Sequence, residues 1–191
     1  MRLKEATLNR IKKVLTALTV IALAAVLVLI NVRGAGETEA ADGQYFRDMH
    51  LISFTEEAYT AADVYKNRLT VFTVWNPYCT SCVKEMPLLS ALDEEYAAKG
   101  VRFVGIEGEA FQYPEDVNKA RALYANSGAK FTQLLADETF TEEILPRLNN
   151  AYPGTFLVDS RGVIRDFRAG SMEEKEWRAW VEEALLLTEH T

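Results

Sequence analysis

The sequence predicts an α/β domain with a mixed central β-sheet flanked by helices, preceded by an N-terminal transmembrane helix. Short β-branched and aromatic runs alternate with amphipathic segments, which is typical of strands and helices in alternation. Two further strand-like runs flank a glycine turn before a last helix, so an antiparallel pair should join the parallel strands. An uncharged apolar stretch near the N-terminus predicts the membrane helix.

Three segments precede the domain. Residues 1–13 carry five basic side chains, and residues 14–32 form an uncharged run of 19 residues, about the length that crosses a bilayer. The positive-inside bias then places the N-terminus in the cytoplasm and the rest of the chain outside it. A cleavable signal peptide is the alternative, although its apolar core is usually only about 7–15 residues long. The small and polar residues 33–43 are typical of a tether, and residues 44–191 form the domain.

The sequence patterns for strands and helices are weak at the start of the domain, before Leu69, and clear after it. Buried strands are predicted at Leu69–Trp75 and Val101–Glu107, and the helix between them is expected to end at Gly100. The other predicted elements are an edge strand at residues 50–54, a short helix at 60–67, a helix at 114–127 closed by Gly128, a strand within 130–137, a short helix at 138–145, a hairpin of 155–159 and 163–167, and a last helix from Met172 to about Leu187 opened by a capping box at Ser171–Glu174.

The charge of the chain argues against one class of partner. From Gly34 onward, 15 Lys and Arg face 27 Asp and Glu, a net charge of −12. A domain this acidic repels phosphate backbones, so we expect no nucleic-acid partner. The acid excess otherwise indicates only a soluble surface.

The two cysteines of the chain lie together in the stretch "WNPYCTSCVKEMP". A structural zinc site needs four ligands, but the chain has no third cysteine and its only two histidines are His50 and His190, so a zinc site is not favoured. A structural disulfide, or a buried and inert pair, are further alternatives, but a disulfide across this spacing barely constrains the unfolded chain. A redox-active dithiol uses this spacing, because one sulfur attacks and the other resolves. The position between a strand end and a helix start favours it, since helix N–H groups stabilise a thiolate on Cys79.

The longer stretch "FTVWNPYCTSCVKEMP" resembles the thioredoxin-like family, and most of all its exported, membrane-tethered branch of TlpA and ResA proteins. In the pattern Phe-Trp-x-x-Trp-Cys-x-x-Cys-x-x-Glu-x-Pro, Trp75 stands for the first Trp and Tyr78 for the second, while Glu85 and Pro87 match directly. The resemblance runs over residues 49–187 and includes "NAYPGTFLVDSRGVI", which is similar to the cis-proline loop, strand and hairpin of that family.

The resemblance implies a thioredoxin-like fold and assigns roles around the dithiol. Cys79 and Cys82 would form the redox-active disulfide, with Cys79 as the nucleophile and Cys82 as the less exposed resolving thiol. Glu85 would be a catalytic carboxylate that carries protons, whereas its spacing alone favours an ordinary surface Glu near a helix start. Pro87 would kink the helix and serve packing.

The same resemblance implies a substrate-binding edge. Tyr152-Pro153 would be a cis peptide that lies against the dithiol and offers its strand edge to a substrate backbone, with Tyr78 as an aromatic rim. Trp75 is expected to be a wall of the site. Glu107 and Glu109 follow the second strand, and we expect them to be solvated loop charges.

Several positions depart from the family pattern. Thr73 stands where cytoplasmic thioredoxins carry a buried Asp, Gly154 replaces the usual Thr after the cis-proline, and Thr80-Ser81 separates the cysteines. Because these residues set the hydrogen bonds that reach the Cys79 sulfur, the resemblance leaves the reduction potential open.

The function implied is that of a thiol-disulfide oxidoreductase, single-pass in the plasma membrane, with its catalytic domain outside and no cofactor beyond the disulfide. It would reduce exported proteins, such as apocytochrome c or an exported methionine sulfoxide reductase, and be re-reduced by a membrane electron donor of the thiol-transporting type. An oxidant that inserts disulfides would use the same residues. A thiol peroxidase is less favoured, because neither cysteine has the Pro-x-x-x-Thr-x-x-Cys context, and a non-catalytic adaptor is a third alternative.

Overall fold

Seven strands form one mixed sheet in the computed structural model, which describes residues 44–188. In the order β2-β1-β5-β4-β3-β6-β7, β3 pairs in parallel with β4, and β4 with β5, whereas the other pairs are antiparallel. The strands are β1 (His50–Ser53), β2 (Ala58–Thr60), β3 (Leu69–Trp75), β4 (Val101–Glu107), β5 (Thr132–Leu135), β6 (Gly154–Asp159) and β7 (Ile164–Ala169).

Six α-helices lie in the same part of the chain, together with three short 3-10 helices. The α-helices are α1 (Gln44–Asp48), α2 (Ala61–Tyr65), α3 (Thr80–Tyr96), α4 (Val117–Ser127), α5 (Glu138–Glu143) and α6 (Glu174–Thr188). The 3-10 helices are Ala97–Lys99, Pro114–Asp116 and Leu145–Leu148. The prediction of a mixed sheet flanked by helices is confirmed.

Strand β3 is the centre of the core, and all seven of its residues are buried. Its side chains alternate between two apolar clusters, so both faces of the sheet are covered. Helices α3, α4 and α6 supply the first cluster, which contains Trp75, Cys82 and Trp177. Helices α1, α2 and α5 contribute to the second, around Phe46 and Phe72. The dithiol therefore belongs to the face that α3 and α6 cover.

The strong sequence signals gave the strand bounds correctly, and the weak ones did not. Leu69–Trp75 and Val101–Glu107 are the observed β3 and β4. Helix α3 ends at Tyr96 and passes into the 3-10 helix Ala97–Lys99, which the predicted Gly100 closes in a left-handed conformation at φ 77°. The predicted edge strand at residues 50–54 is wrong in its place, because β1 lies between β2 and β5. The true edge strand β2 has only three residues and gave no alternating pattern.

The last helix starts later than predicted. The capping box proposed for Ser171–Glu174 is wrong, since α6 begins at Glu174 and the Glu176 carboxylate accepts a bond from the Glu173 N–H at 2.8 Å. Trp177 and Trp180, three positions apart on α6, are both buried in the same cluster. Met172 is drawn out of the helix, and its N–H donates to Glu85 at 2.9 Å instead.

The membrane anchor predicted at residues 14–32 lies outside the described residues. Within residues 44–188, no helix is both long enough and apolar enough to cross a bilayer.

A buried hydrogen bond ties the carboxyl end of β3 to β5 across β4. The Trp75 indole N–H donates to Gln133 Oε1 at 2.9 Å, and the intervening strand has Gly105 opposite Gln133. A Cβ built on Gly105 would lie 2.1 Å from Gln133 Oε1, so the amide fills the space that a side chain would need. Glycine is required here for close approach and not for a special backbone angle.

We therefore expect Gly105→Ala to lower the free energy of unfolding by about 1–3 kcal/mol, because the new methyl group displaces the amide and leaves the Trp75 N–H without its acceptor. Chemical denaturation of the oxidised protein measures this loss. The double variant Gly105→Ala/Gln133→Ala should lose less than the sum of the two single variants, since the clash is gone. Strict additivity would contradict the assignment.

Candidate active site

A short turn delivers the first cysteine from β3 to the start of α3. The Asn76 carbonyl accepts the Cys79 N–H at 3.1 Å, and its side-chain Oδ1 accepts the Tyr78 N–H at 2.9 Å. Asn76 is itself buried, and its Nδ2 donates to Glu109 Oε1 at 3.1 Å. One side chain therefore fixes both the turn before the nucleophile and the loop after β4.

Cys79 and Cys82 are joined by a disulfide at the N-terminus of α3. Cys79 is the N-cap residue, and its sulfur accepts the Cys82 N–H at 3.2 Å, with the Ser81 hydroxyl at 3.4 Å. Cys79 is half-buried and Cys82 is 3% exposed, as the sequence predicted. In the reduced protein the same N–H and the helix dipole would stabilise a thiolate on Cys79.

Glu85 is not the surface residue that its spacing alone favours. It lies one turn after Cys82 in α3 and is 7% exposed. Its Oε1 accepts the Trp177 indole N–H at 2.7 Å and the Met172 N–H at 2.9 Å, while Oε2 has no partner among the described residues. Burial raises the pKa of Glu85, and the two donors partly oppose this effect. The carboxyl therefore joins α3 to α6 and holds a proton more tightly than an exposed Glu does.

Pro87 lies inside α3, which continues from Thr80 to Tyr96. The side chain is exposed, so the predicted packing role is wrong. A proline here removes the N–H that would bond the carbonyl four residues earlier.

Tyr78 forms the exposed rim that the resemblance implies. It is 66% exposed, and its hydroxyl donates to Asp116 Oδ1 at 3.0 Å. The Lys119 ammonium lies 3.3 Å from the centre of its ring. These two contacts hold the ring upright against the loop that follows β4.

The Tyr152-Pro153 peptide is cis, as predicted. It comes directly before β6, whose Gly154 lies opposite Val74 near the end of β3. Pro153 is therefore beside the strand end from which the dithiol turn leaves. A Cβ on Gly154 would meet Leu148 Cγ at 2.6 Å, so the Thr that the resemblance leads one to expect at this position would collide with Leu148.

Glu107 contradicts the expectation of a solvated charge. It is 1% exposed, its Oε1 accepts only the Glu109 N–H at 3.3 Å, and its Oε2 has no partner within residues 44–188. Burial raises the pKa of Glu107 to about 7; the Glu109 N–H opposes this, and the charges of Glu109 and Asp116 add to it. Glu109 is half-buried and bonded to Asn76, so it is not a free loop charge either.

Three functional contacts escaped the sequence reasoning. Asn76, Gln133 and Trp177 are buried polar partners of the site, and each acts across a distance in sequence that no local pattern reveals. Asn76 alone carried a signal, since Asn before a helix is typical of turns. Thr73, which replaces a buried Asp, is 4% exposed and accepts a bond from the Thr155 hydroxyl at 3.4 Å.

A surface pocket of about 530 Å³ lies elsewhere, at the end of the sheet opposite the dithiol. It lies between the start of β3, the end of β6 and the last turns of α6, with Leu69, Asp159 and Trp180 among its walls. Within residues 44–188, no group of three His, Cys, Asp or Glu side chains is arranged to hold a metal ion.

The buried Glu107 predicts a pH-dependent stability. Its carboxyl binds a proton more tightly when folded, so its contribution is full below pH 4.5, its unfolded pKa, and is lost as the pH rises to about 7. Urea unfolding should therefore find that wild type loses about 3 kcal/mol relative to Glu107→Gln between pH 4.5 and 8, since one pKa unit is about 1.4 kcal/mol. Glu94→Gln, on the exposed face of α3, is the matched control and should follow wild type. Parallel curves for wild type and Glu107→Gln would refute the assignment.

Comparison with known proteins agrees with this geometry. The chain is similar to the thioredoxin-like protein YneN of Bacillus subtilis, at 26% identity over 140 residues, which is 73% of this chain and 78% of the relative. It is also similar to the thiol:disulfide interchange protein DsbE of Haemophilus influenzae, at 29% identity over 65% of this chain and 63% of that relative.

The fold has counterparts among solved structures. A thiol:disulfide interchange protein of the thioredoxin family from Chlorobium tepidum superimposes with a TM-score of 0.60 at 14% identity, over 73% of this chain and 94% of the other. A family model described as Redoxin matches residues 41–185. The chain therefore belongs to the redoxin family, and it is a thiol-disulfide oxidoreductase with a thioredoxin-like fold.

Proposed function

We propose that this oxidoreductase is a membrane-tethered reductant of disulfides in proteins outside the cytoplasm. Residues 14–32 are its anchor, residues 33–43 its tether, and residues 44–191 its catalytic domain. The observation that carries the proposal is the half-buried Cys79 at a helix start, with Cys82 buried behind it. The first sulfur is open to a protein substrate, and the second is protected from it.

The reaction follows from this arrangement. The Cys79 thiolate attacks one sulfur of the substrate disulfide, which forms a mixed disulfide and releases one substrate thiolate. Cys82 then loses its proton and attacks the Cys79 sulfur, which re-forms the Cys79–Cys82 disulfide and releases the second substrate thiolate. The substrate gains two electrons and two protons, of which one proton comes from Cys82 and the other from the solvent. Glu85, one turn after Cys82, is the proposed acceptor of the Cys82 proton.

The electrostatics of the site support the reducing direction. Strong oxidants of this class stabilise their reduced form by stabilising the thiolate. Two buried carboxyls lie on the dithiol side of the sheet, Glu85 in α3 and Glu107 at the end of β4 opposite Trp75, and an ionised carboxylate opposes a thiolate near it. Destabilising the thiolate favours the disulfide and thus lowers the reduction potential. A lower potential makes the dithiol a better reductant.

Substrate and donor follow from the family resemblance. We propose apocytochrome c or an exported methionine sulfoxide reductase as the substrate, bound along the Pro153 edge with Tyr78 and Tyr152 as its rim. A membrane electron donor of the thiol-transporting type re-reduces the Cys79–Cys82 disulfide. No nucleic acid and no further cofactor enter the reaction.

Trapping tests the proposal in cells. Cys82→Ser keeps the nucleophile but removes the resolving thiol, so the mixed disulfide with the substrate should accumulate. Non-reducing electrophoresis and mass spectrometry of the full chain should find exported, disulfide-containing proteins bound to it. Cys79→Ser is the control and should capture none of them. Loss of the trap, or capture by Cys79→Ser alone, would exclude the mechanism and favour a non-catalytic adaptor.

The rim makes a separate prediction about protein substrates. Removing the exposed ring by Tyr78→Ala should lower the rate of reducing a protein disulfide about tenfold, because a central aromatic contact is lost. The rate with dithiothreitol as the small partner should change little. Tyr65→Ala is the matched control, since Tyr65 is 46% exposed and lies before the start of β3, away from the dithiol. Equal losses with both partners would contradict a binding role.

A further inference from the structure

Glu107 is a buried carboxyl that takes no part in the proton transfer of the proposed reaction. It ends β4 and lies opposite Trp75, the residue that ends β3, in parallel register. Its Oε2 is buried without a hydrogen-bond partner in the described part of the chain. Burying an ionised carboxylate without a partner raises the free energy of the folded protein strongly, whereas burying a protonated carboxyl raises it far less.

The residues opposite Glu107 on the two adjacent strands, Trp75 and Leu135, are uncharged. Gln133, on the adjacent strand β5, also has a buried side-chain atom without a partner in residues 44–188, its Nε2. Its Oε1 is occupied by the Trp75 indole N–H. Side chains of Trp75, Glu107 and Gln133 lie on the face of the sheet that α3 covers, since Gly105 and Glu107 follow Phe103 in alternation. Glu107 is thus a buried titratable group of the sheet on the face that the dithiol helix covers.

Three hydrogen bonds connect Glu107, by way of Glu109 and Asn76, with the backbone N–H of the nucleophile Cys79. The Glu109 N–H donates to Glu107 Oε1, and Glu109 Oε1 accepts from Asn76 Nδ2 at 3.1 Å. The Asn76 carbonyl accepts the Cys79 N–H at 3.1 Å. Tyr152 belongs to the same group, because the charges of both Glu109 and Glu107 act on its hydroxyl.

We propose that Glu107 is a proton store for the dithiol, which takes up a proton when the Cys79–Cys82 disulfide is reduced and releases it when the disulfide re-forms. Glu107 is a positioning residue in this reaction, because it touches neither sulfur: its charge acts on them through space, and Glu109 and Asn76 connect it with the Cys79 backbone N–H. Glu107 lies on β4, which pairs directly with β3, the strand of Thr73. This chain therefore has a buried acid at the end of β4 and an uncharged residue at position 73.

The proton and electron balance of the step is complete. A dithiol reductant gives two electrons to the Cys79–Cys82 disulfide, which breaks the S–S bond. One proton goes to the Cys82 sulfur and one to Glu107, while Cys79 remains a thiolate. If Glu107 takes up no proton, the second proton stays in solution, and the reduced protein carries both the thiolate and the Glu107 carboxylate as negative charges. Proton uptake at Glu107 therefore lowers the free energy of the reduced form relative to the oxidised form as the pH falls.

The groups around Glu107 are consistent with proton uptake near neutral pH. Burial raises the pKa of Glu107 to about 7, the Glu109 N–H opposes this, and the charges of Glu109 and Asp116 raise it further. The Tyr152 hydroxyl and the amides of Asn76 and Gln133 are uncharged. A thiolate on Cys79 adds one more negative charge when the disulfide opens, so reduction strengthens proton binding at Glu107.

Glu85 is the competing store, and the structure distinguishes the two. Glu85 Oε1 accepts two donors, from Trp177 and Met172, which favour its ionised form. Glu107 has one long bond from a backbone N–H. We therefore expect Glu107, and not Glu85, to gain or lose its proton around pH 7.

The test is the pH dependence of the redox equilibrium between the full chain and dithiothreitol from pH 5.5 to 8.5, read by alkylation of the free thiols. Around pH 7 the equilibrium constant of wild type should change by up to about tenfold more per pH unit than that of Glu107→Gln, because one more proton is bound per two electrons. Glu94→Gln, exposed on α3, is the control and should keep the wild-type slope. A wild-type slope in Glu107→Gln would overturn the proposal.

An infrared measurement that starts from the wild-type protein keeps the test valid if Glu107→Gln does not fold. The infrared difference between reduced and oxidised wild type at pH 7 should contain a band of a protonated carboxyl that Glu85→Gln retains and Glu107→Gln loses. A band that disappears in Glu85→Gln instead, or no carboxyl band at all, would assign the proton elsewhere. This inference rests on the thiol-disulfide chemistry of the site. The direction of electron flow depends on the reduction potential itself, whereas the role of Glu107 depends on how the redox equilibrium changes with pH. The proposed reducing function and the proposed role of Glu107 can therefore fail independently.

Discussion

Burial of β3 on both faces is the constraint on which the rest of the structure depends. All seven residues of Leu69–Trp75 are shielded, so the strand cannot slip in register without exposing one of two apolar clusters. Its carboxyl end is fixed in addition by the Trp75–Gln133 bond across Gly105. Because that end is fixed, the turn at Asn76 always delivers Cys79 to the first turn of α3.

The dithiol combines one stabilising and two opposing influences. The helix start gives Cys79 the N–H of Cys82, which favours a thiolate. Two buried carboxyls, Glu85 within α3 and Glu107 at the end of β4, act against it when they are ionised. Under the proposed function, this balance lets the protein open a disulfide by nucleophilic attack while still favouring its own oxidised form. Such a balance suits a reductant that must be recharged from another dithiol.

The sequence was a good guide wherever a residue acts through local chemistry. Buried strands, the Gly100 helix end and the cysteine pair at a helix start follow from composition, left-handed glycine and spacing. The cis-proline came from the resemblance, since an X-Pro bond alone has only about a 5% prior of being cis. These features needed no knowledge of the tertiary contacts.

The remainder depends on contacts between distant segments. Glu85 is buried because Trp177, 92 positions later, covers it, and no periodicity of α3 contains that information. Glu107 was mistaken for a solvated charge because a Glu at a strand end is usually exposed. The short edge strand β2 and the late start of α6 escaped for the same reason, since pairing and packing decide them and local propensity does not.

The reduction potential of the Cys79–Cys82 disulfide tests the central claim most directly. The full chain would be equilibrated with glutathione buffers of known ratio, and its free thiols counted by alkylation. The account predicts a potential near that of thioredoxin, about −270 mV, so that glutathione reduces only a small fraction of the protein. A potential near the value of about −120 mV typical of strong oxidants would contradict it, because the thiolate would then be stabilised and the electrons would run the other way.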